Sequence, residues 1–156
     1  MLTIERLNDS HIEDVLEVSI ADEQLQFAGT PDEFIQDGSD TAHLHVFKLN
    51  QRIIGFCKLD IAYARSYDFC PEGGIGLRFF VIDKSQQGKG LGTRAVKVLR
   101  EYIKHHYPQF NAIYLSVNCQ NPAARACYLK AGLIESEALY LAGPSGPQHV
   151  MYSNLD

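Results

Sequence analysis

The chain has no C-x-x-C pair, no basic N-terminal segment and no apolar run near the roughly 20 residues that a transmembrane helix needs. Its cysteines, Cys57, Cys70, Cys119 and Cys127, are scattered, and the histidines complete no zinc spacing. No structural metal is therefore expected. Met1-Leu2-Thr3-Ile4-Glu5 lacks the basic and apolar regions of a signal peptide. Together these absences predict reduced thiols, a cytoplasmic location and no membrane partner. There is no excess of positive charge either. The formal net charge of −5 argues against nucleic acid as a partner and favours a cationic one. No repeat, low-complexity tract or linker interrupts the 156 residues, so residues 1–156 are expected to form a single domain with its own core. At 46% hydrophobic and 21% charged, the composition excludes disorder.

What is present centres on residues 81–93. An apolar run from Ile75 to Ile82 reads as a strand, and a long amphipathic segment after Thr93 reads as a helix. Between them stand Gly88, Gly90 and Gly92. Glycine lets backbone N–H groups approach a ligand, and a helix opening there adds unpaired donors and a positive dipole end. The stretch therefore reads as a cradle for an anion, a phosphate above all, with an ordinary tight turn as the alternative. A Walker loop is excluded because Lys89 is followed by Gly90, where a hydroxyl residue is required. A dinucleotide fingerprint is excluded because its third glycine falls on Thr93.

A second segment, Asn121 to Leu133, has the ends of a short helix. Asn121 is a good N-cap, Pro122 suits the first helical position, and Gly132 suits the position just past the end. Gln87, Gly90 and Gly92 match Q/R-x-x-G-x-G/A. Asn121, Ala124, Tyr128 and Gly132 match N-x-x-A-x-x-x-Y-x-x-x-G-F, with Leu133 in place of Phe. Two such motifs in this order resemble motifs A and B of the GCN5-related N-acetyltransferases. The resemblance is good from the glycine stretch to the C-terminus and loose over the first 70 residues.

The resemblance implies an acetyl-coenzyme-A-dependent transfer of an acetyl group to a primary amine by direct attack. The alternative is a catalytically silent module of the same fold that binds or senses coenzyme A. It implies that the backbone across Gln87, Gly88, Lys89, Gly90, Leu91, Gly92 and Thr93 holds the pyrophosphate of acetyl-coenzyme A. Lys89 and Arg94 either add charge there or are surface residues. It further implies that main-chain groups of Phe80 and Ile82 meet the pantetheine arm and the thioester carbonyl. Asn121 either faces the cofactor or only caps its helix. Tyr128 corresponds to the general acid, or else packs its ring on the cofactor. The glutamate that some members carry on the central strand maps to Gly76, which leaves the base unassigned among Glu72, Asp68 and water. Cys119 is expected to be a small buried hydrophobe, its alternative being a nucleophile. The acceptor groove is implied at residues 22–34 and 140–149, where Asp22, Glu23, Asp32 and Glu33 make an acidic wall or simply occupy first helical turns. The partner is a small-molecule or peptide amine, and the chain a monomer or a homodimer.

Periodicity outlines the rest. Strands are expected at Leu2–Leu7, His43–Leu49, Ile53–Leu59, Ile75–Ile82, Ile113–Val117, Leu133–Leu141 and His149–Ser153. Helices are expected from about His11 to Ile20, within Ala21–Phe27, from Pro31, and after the glycines, where Leu91, Ala95, Val98, Leu99 and Tyr102 form the apolar stripe. Asn50-Gln51 is a hairpin turn, Ala62–Gly74 a connection and Gly143–Pro147 an exposed turn. The order β-α-α-β-β-β-α-β-α-β-β describes an α/β fold built on a mixed sheet.

Overall fold

The computed structural model describes residues 1–21, 29–141 and 146–155. Among the described residues seven strands form one sheet in the order β1-β2-β3-β4-β5-β7-β6. The strands are β1 Leu2–Arg6, β2 Ala42–Leu49, β3 Arg52–Asp60, β4 Gly74–Ile82, β5 Ala112–Asn118, β6 Ile134–Tyr140 and β7 Gln148–Asn154. Only β4 and β5 run parallel; every other neighbouring pair is antiparallel. The helices are α1 Ile12–Leu16, α2 Pro31–Gln36, α3 Tyr63–Ser66, α4 Leu91–His106 and α5 Pro122–Lys130. Among the described residues no helix is long and apolar enough to cross a membrane.

The strand order along the chain is the expected one, and each deviation has a local cause. The helix expected to reach Ile20 stops at Leu16, after a 3₁₀ turn at Asp9–His11. Beyond it, the Ser19 N–H donates to Asp83 Oδ2 and the Ser19 carbonyl accepts from Lys84 N–H, so neither group is free for a helix. The connection Ala62–Gly74 contains α3, a single turn not anticipated. The expected helix within Ala21–Phe27 falls on residues 22–28, and part of the turn Gly143–Pro147 on residues 142–145, both outside the described residues. Pro31 starts α2 as expected, behind a capping box in which Glu33 N–H donates to Thr30 Oγ1 and Thr30 N–H to Glu33 Oε1. Asn50 and Gln51 both have positive φ (51° and 73°), the backbone of a tight hairpin turn.

Two apolar layers flank the sheet. The larger lies under α4 and α5 and includes Leu59, Ile75, Leu77, Leu99, Ile103, Ile113 and Leu115. On α4 the buried stripe is Leu91, Ala95, Val96, Leu99 and Ile103; Val98 and Tyr102 flank it, partly buried. The smaller layer, under α1 and α2, holds Val15, Phe34, Val46, Phe56 and Val81.

His45 is fully buried in β2. Its Nδ1 lies 3.1 Å from the His43 carbonyl, which can only accept, so Nδ1 carries the proton. The Tyr102 hydroxyl then donates to Nε2 at 3.0 Å. Burial, reinforced by nearby Arg6, lowers the His45 pKa to about 4 against the pull of the His43 carbonyl. A depressed folded pKa stabilises the protein above the unfolded value of about 6.5, and that contribution disappears as pH falls through the folded value. Stability measured by urea unfolding should therefore drop between pH 6.5 and 4 by about 3 kcal/mol from this group, and His45→Gln should flatten that limb.

Candidate functional site

The site begins where two strands part. β4 pairs with β5 only from Gly74 to Gly76, opposite Ala112 to Tyr114. Both strands continue, β4 to Ile82 and β5 to Asn118, without pairing to each other. The cause lies on the other edge of β4. Val81 opposes Phe56 and Arg78 opposes Lys58, so two β4 residues, Phe79 and Phe80, stand against the single residue Cys57. This is a β-bulge. Phe79 takes φ = 55°, a left-handed conformation that costs a non-glycine residue about 1–3 kcal/mol. Its ring is held by Phe34, edge-on at 5.8 Å, and by Lys58 Nζ at 5.3 Å from its centre.

The bulge reverses the alternation of β4. Before it, Ile75 and Leu77 point into the α4 layer; after it, Phe80 and Ile82 do, while Phe79 and Val81 join the α2 layer. Asp83 N–H donates to the Ile54 carbonyl at 2.7 Å. Antiparallel alternation then turns the N–H and C=O of the adjacent Ile82 away from β3, toward the gap. The Ile82 carbonyl receives Gln87 Nε2 at 3.1 Å, which closes the loop back onto the strand.

The glycine loop follows. Gly88 and Gly90 have φ of 80° and 75°, and Gly90 is the N-cap of α4. Arg94 N–H makes the first helical bond, to the Gly90 carbonyl. The N–H groups of Gly88, Lys89, Gly90, Leu91, Gly92 and Thr93 have no partner among the described residues. They sit at the positive end of a 16-residue helix, a built anion site. Gly92 serves a different need: a Cβ there would lie 3.1 Å from Cys127 Sγ, so its absence lets α4 and α5 approach closely.

α5 forms the second wall. Asn121 is buried, and its Oδ1 accepts from Ala124 N–H at 3.4 Å, so it does cap the helix. The helix ends as expected at Gly132 (φ = 98°), with Leu133 N–H donating to the Tyr128 carbonyl and Gly132 N–H to the Leu129 carbonyl. Arg125 bonds to Glu135, which His149 Nδ1 also approaches at 3.2 Å; this ties α5 to β6 and β7.

Between these walls lies a cleft of about 390 Å³. Of the expected residues, Phe80, Ile82, Gln87, Gly88, Gly90, Leu91, Gly92 and Thr93 line it. Lys89, Asn121 and Tyr128 do not. Ile20 and one face of α5, with Ala123, Ala124, Ala126, Cys127 and Lys130, line it unforeseen. The spacing of three and four from Ala123 to Lys130 was the available signal, since it places one helical face against the glycine loop. Lys89 and Arg94 are exposed, and Lys130 is the lysine on the lining.

Tyr128 is buried, with its ring 5.8 Å from that of Phe80. Burial pushes its phenol well above the usual tyrosine range. Burial likewise raises the Cys127 thiol, against a contact from Thr93 Oγ1, so Cys127 is a protonated wall residue. Cys119 corrects the expectation of a buried hydrophobe: it is exposed, in the turn between β5 and α5, its N–H held by the Pro147 carbonyl. Asp68 and Glu72 are exposed. Of the acidic wall, Asp22 and Glu23 lie outside the described residues, and Glu33 is engaged in the cap of α2.

The cleft thus joins an anion cradle at one end to an apolar slot beside an open strand edge at the other, which fits an extended molecule with phosphates at one end. The Acetyltransferase (GNAT) family model matches residues 9–133. No curated protein matches the chain significantly. Among solved structures, the aminoglycoside acetyltransferase AAC(6')-Ib in complex with coenzyme A aligns with a TM-score of 0.78 at 20% identity, covering 99% of this chain and 95% of that one. Spermidine N-acetyltransferase from Vibrio cholerae, in complex with coenzyme A and spermine, aligns at 0.71 and 19%, covering 99% and 95%. The ribosomal-protein-S18-alanine N-acetyltransferase of Escherichia coli aligns at 0.67 and 18%, covering 100% and 95%. At such identities the likeness is one of fold.

Gly76, the last β4 residue paired with β5, is closely packed. A Cβ there would lie 2.2 Å from Tyr63 Cγ and 2.3 Å from Cδ1, so the tyrosine ring occupies the space of any side chain at this position. Tyr63 is itself buried, and burial raises its phenol above the usual tyrosine range. Gly76→Ala should cost about 1–3 kcal/mol in urea unfolding through overpacking. Combined with Tyr63→Ala it should cost less than the sum of the two single changes, because the collision partner is gone.

Proposed function

As the chain belongs to the GNAT acetyltransferase family, we propose that it is an enzyme moving the acetyl group of acetyl-coenzyme A to a primary amine by direct attack. The observation that carries this reading is the row of unpartnered N–H groups from Gly88 to Thr93, set beside the parted strands β4 and β5. The coenzyme A present in the solved aminoglycoside and spermidine acetyltransferases supports it. In this reading the enzyme is a single domain acting in the cytoplasm, as a monomer or a homodimer, on a small-molecule or peptide amine and not on nucleic acid. The four free cysteines suit a reducing compartment.

Acetyl-coenzyme A supplies a thioester: the amine nitrogen bonds to the acetyl carbon, the carbon–sulfur bond breaks, the nitrogen loses a proton and the sulfur gains one. The chain's residues divide the remaining work. The amides of Gly88 to Thr93 bind the pyrophosphate with dipoles oriented in advance, which need no reorganisation. Gln87 fixes the loop through Ile82, and Lys130 adds positive charge at the rim. Ala123, Ala124 and Cys127 keep water from the slot. Main-chain groups of Ile82 and Phe80 orient the arm and the carbonyl in place of β5. Asn121 holds the start of α5. Lys89 is left to the loop's outer charge.

Tyr128 is taken as the proton donor to the departing sulfur from its place in the motif; it stands behind Phe80, 5.8 Å between ring centres, and off the lining of the cleft. Its raised pKa keeps it protonated throughout the working range, so donation is limited by driving force and not by the supply of protons. With Gly76 and Tyr63 filling the position of the glutamate, the amine loses its proton to water or to a carboxylate outside β4. The same feature favours, as the second reading, a module that binds coenzyme A without turnover.

Thermal melting with acetyl-coenzyme A at 100 times its Kd should show stabilisation of about 2.7 kcal/mol, with no effect of NAD or ATP. Thr93→Glu should leave the unliganded melting point unchanged or raised, since an acidic residue suits the first turn of α4, yet weaken coenzyme A binding at least tenfold by charge repulsion. Unaltered binding in that variant would refute the cradle. Tyr128→Phe should keep coenzyme A affinity and lower kcat by about 100-fold in a thiol-release assay; an unchanged kcat would remove Tyr128 from the mechanism, and no turnover with any amine in the parent protein would favour the sensing module.

A further inference from the structure

The face of the sheet opposite α4 carries a group of aromatic rings that the cofactor cleft does not use. Tyr63 of α3, Tyr67 and Phe69 just beyond it, and Tyr140 of β6 form a continuous cluster. The ring centres are 4.5 Å apart for Tyr63 and Tyr67, 5.3 Å for Tyr67 and Phe69, 5.6 Å for Tyr67 and Tyr140, and 5.4 Å for Phe69 and Tyr140. Tyr63 is buried, while the other three keep solvent-exposed surface.

Position makes this cluster more than an outlying piece of core. Tyr63 lies on Gly76, where β4 and β5 separate. Ser116, close enough to act on the Tyr63 phenol, sits on β5 past the separation and donates to Gln148 Oε1 at 2.8 Å. Gln148 pairs with Tyr140 across β6 and β7. The rings therefore span the mouth of the gap from the face away from the glycine loop. To meet Tyr140, the segment after α3 reaches across β5 and β7.

The charge of this face decides between acceptor classes. Asp60 is buried and bound to Arg78 and to Ala62 N–H; Asp37 is bound to Lys58. Neither carboxylate is free for an incoming cation. The Arg78 side chain, 41% exposed and paired with Asp60, stands 5.8 Å from the centre of the Tyr67 ring. Asp68 and Glu72 are exposed on the same connection, where solvent and salt screen them. A polycation finds neither Asp60 nor Asp37 free here, whereas an aromatic ring meets three partly exposed rings and a guanidinium that favours its face.

We propose that the acceptor is an arylalkylamine, a primary amine on a short chain from an aromatic ring, seated on Tyr67, Phe69 and Tyr140 with its nitrogen toward the gap. This rests on the acetyltransferase reading for the role of the ligand, and on the ring cluster alone for its binding.

Calorimetric titration of the protein, with and without coenzyme A, by phenethylamine and by spermidine tests it. Phenethylamine should bind at least tenfold more tightly than spermidine. Tyr67→Ala and Tyr140→Ala, both at partly exposed positions, should each weaken phenethylamine at least fivefold and leave coenzyme A affinity unchanged. Spermidine binding as tightly as phenethylamine, no binding of phenethylamine, or unchanged affinity in both variants would overturn the proposal. A protein that binds phenethylamine but not coenzyme A keeps this inference and sinks the acetyltransferase reading. Coenzyme A binding without phenethylamine binding sinks this inference alone.

Discussion

One extra residue in β4 sets the geometry of this protein. Opposite Cys57 the strand accommodates both Phe79 and Phe80, and Phe79 accepts a left-handed backbone to do so. A strand that kept its register would continue alongside β5 and satisfy both edges. The bulge bends and twists β4, so pairing with β5 ends at Gly76 and a gap opens between two strands that are both still extended. The strain is local and is held by packing: Phe34 and Lys58 fix the Phe79 ring, and a Cβ on Gly29 would sit 2.2 Å from it.

The same irregularity divides the faces of β4 between two tasks. Toward α4, Phe80 and Ile82 become the wall of the cofactor cleft. Toward α2 and α3, Gly76 and Arg78 lie under Tyr63 and beside Tyr67. A substrate on one face and a cofactor on the other can meet only through the gap. Tyr63 fills the point where the strands separate, packed on Gly76.

Electrostatics follow burial throughout. The unpaired amides at the start of α4 supply fixed positive potential without a buried charge, which would be costly. Tyr128 behind the cleft, Tyr63 on the opposite face and Cys127 on the lining are all held in their neutral forms by desolvation. The ionised pairs, Arg78 with Asp60 and Lys58 with Asp37, lie on the opposite face, each cation beside an aromatic ring. The chemistry proposed needs such a division, because a thioester survives best where water and loose charge are scarce.

Much of this was legible along the chain. Period-two alternation located the strands, and the glycine spacing located the cradle. Asn121, Pro122 and Gly132 marked the ends of α5, since caps and tight loops depend on neighbours within a few residues. The strand before the glycines and the helix after them were local signals as well. Other features were settled only in three dimensions. The end of α1 depended on Asp83, 64 positions after Ser19. The cleft's second wall, Cys127 and Lys130 above all, depended on how closely α5 packs on Gly92. The aromatic face depended on Tyr67 and Phe69, just after α3, reaching Tyr140 on the strand at the far edge of the sheet. The sequence by itself determined the elements, their order and the loop that can hold an anion, because those follow from short-range backbone preference and periodicity. Only the tertiary structure decided where β4 leaves β5 and what fills the opening, because a bulge is stabilised by long-range packing of Phe79 that no local pattern records.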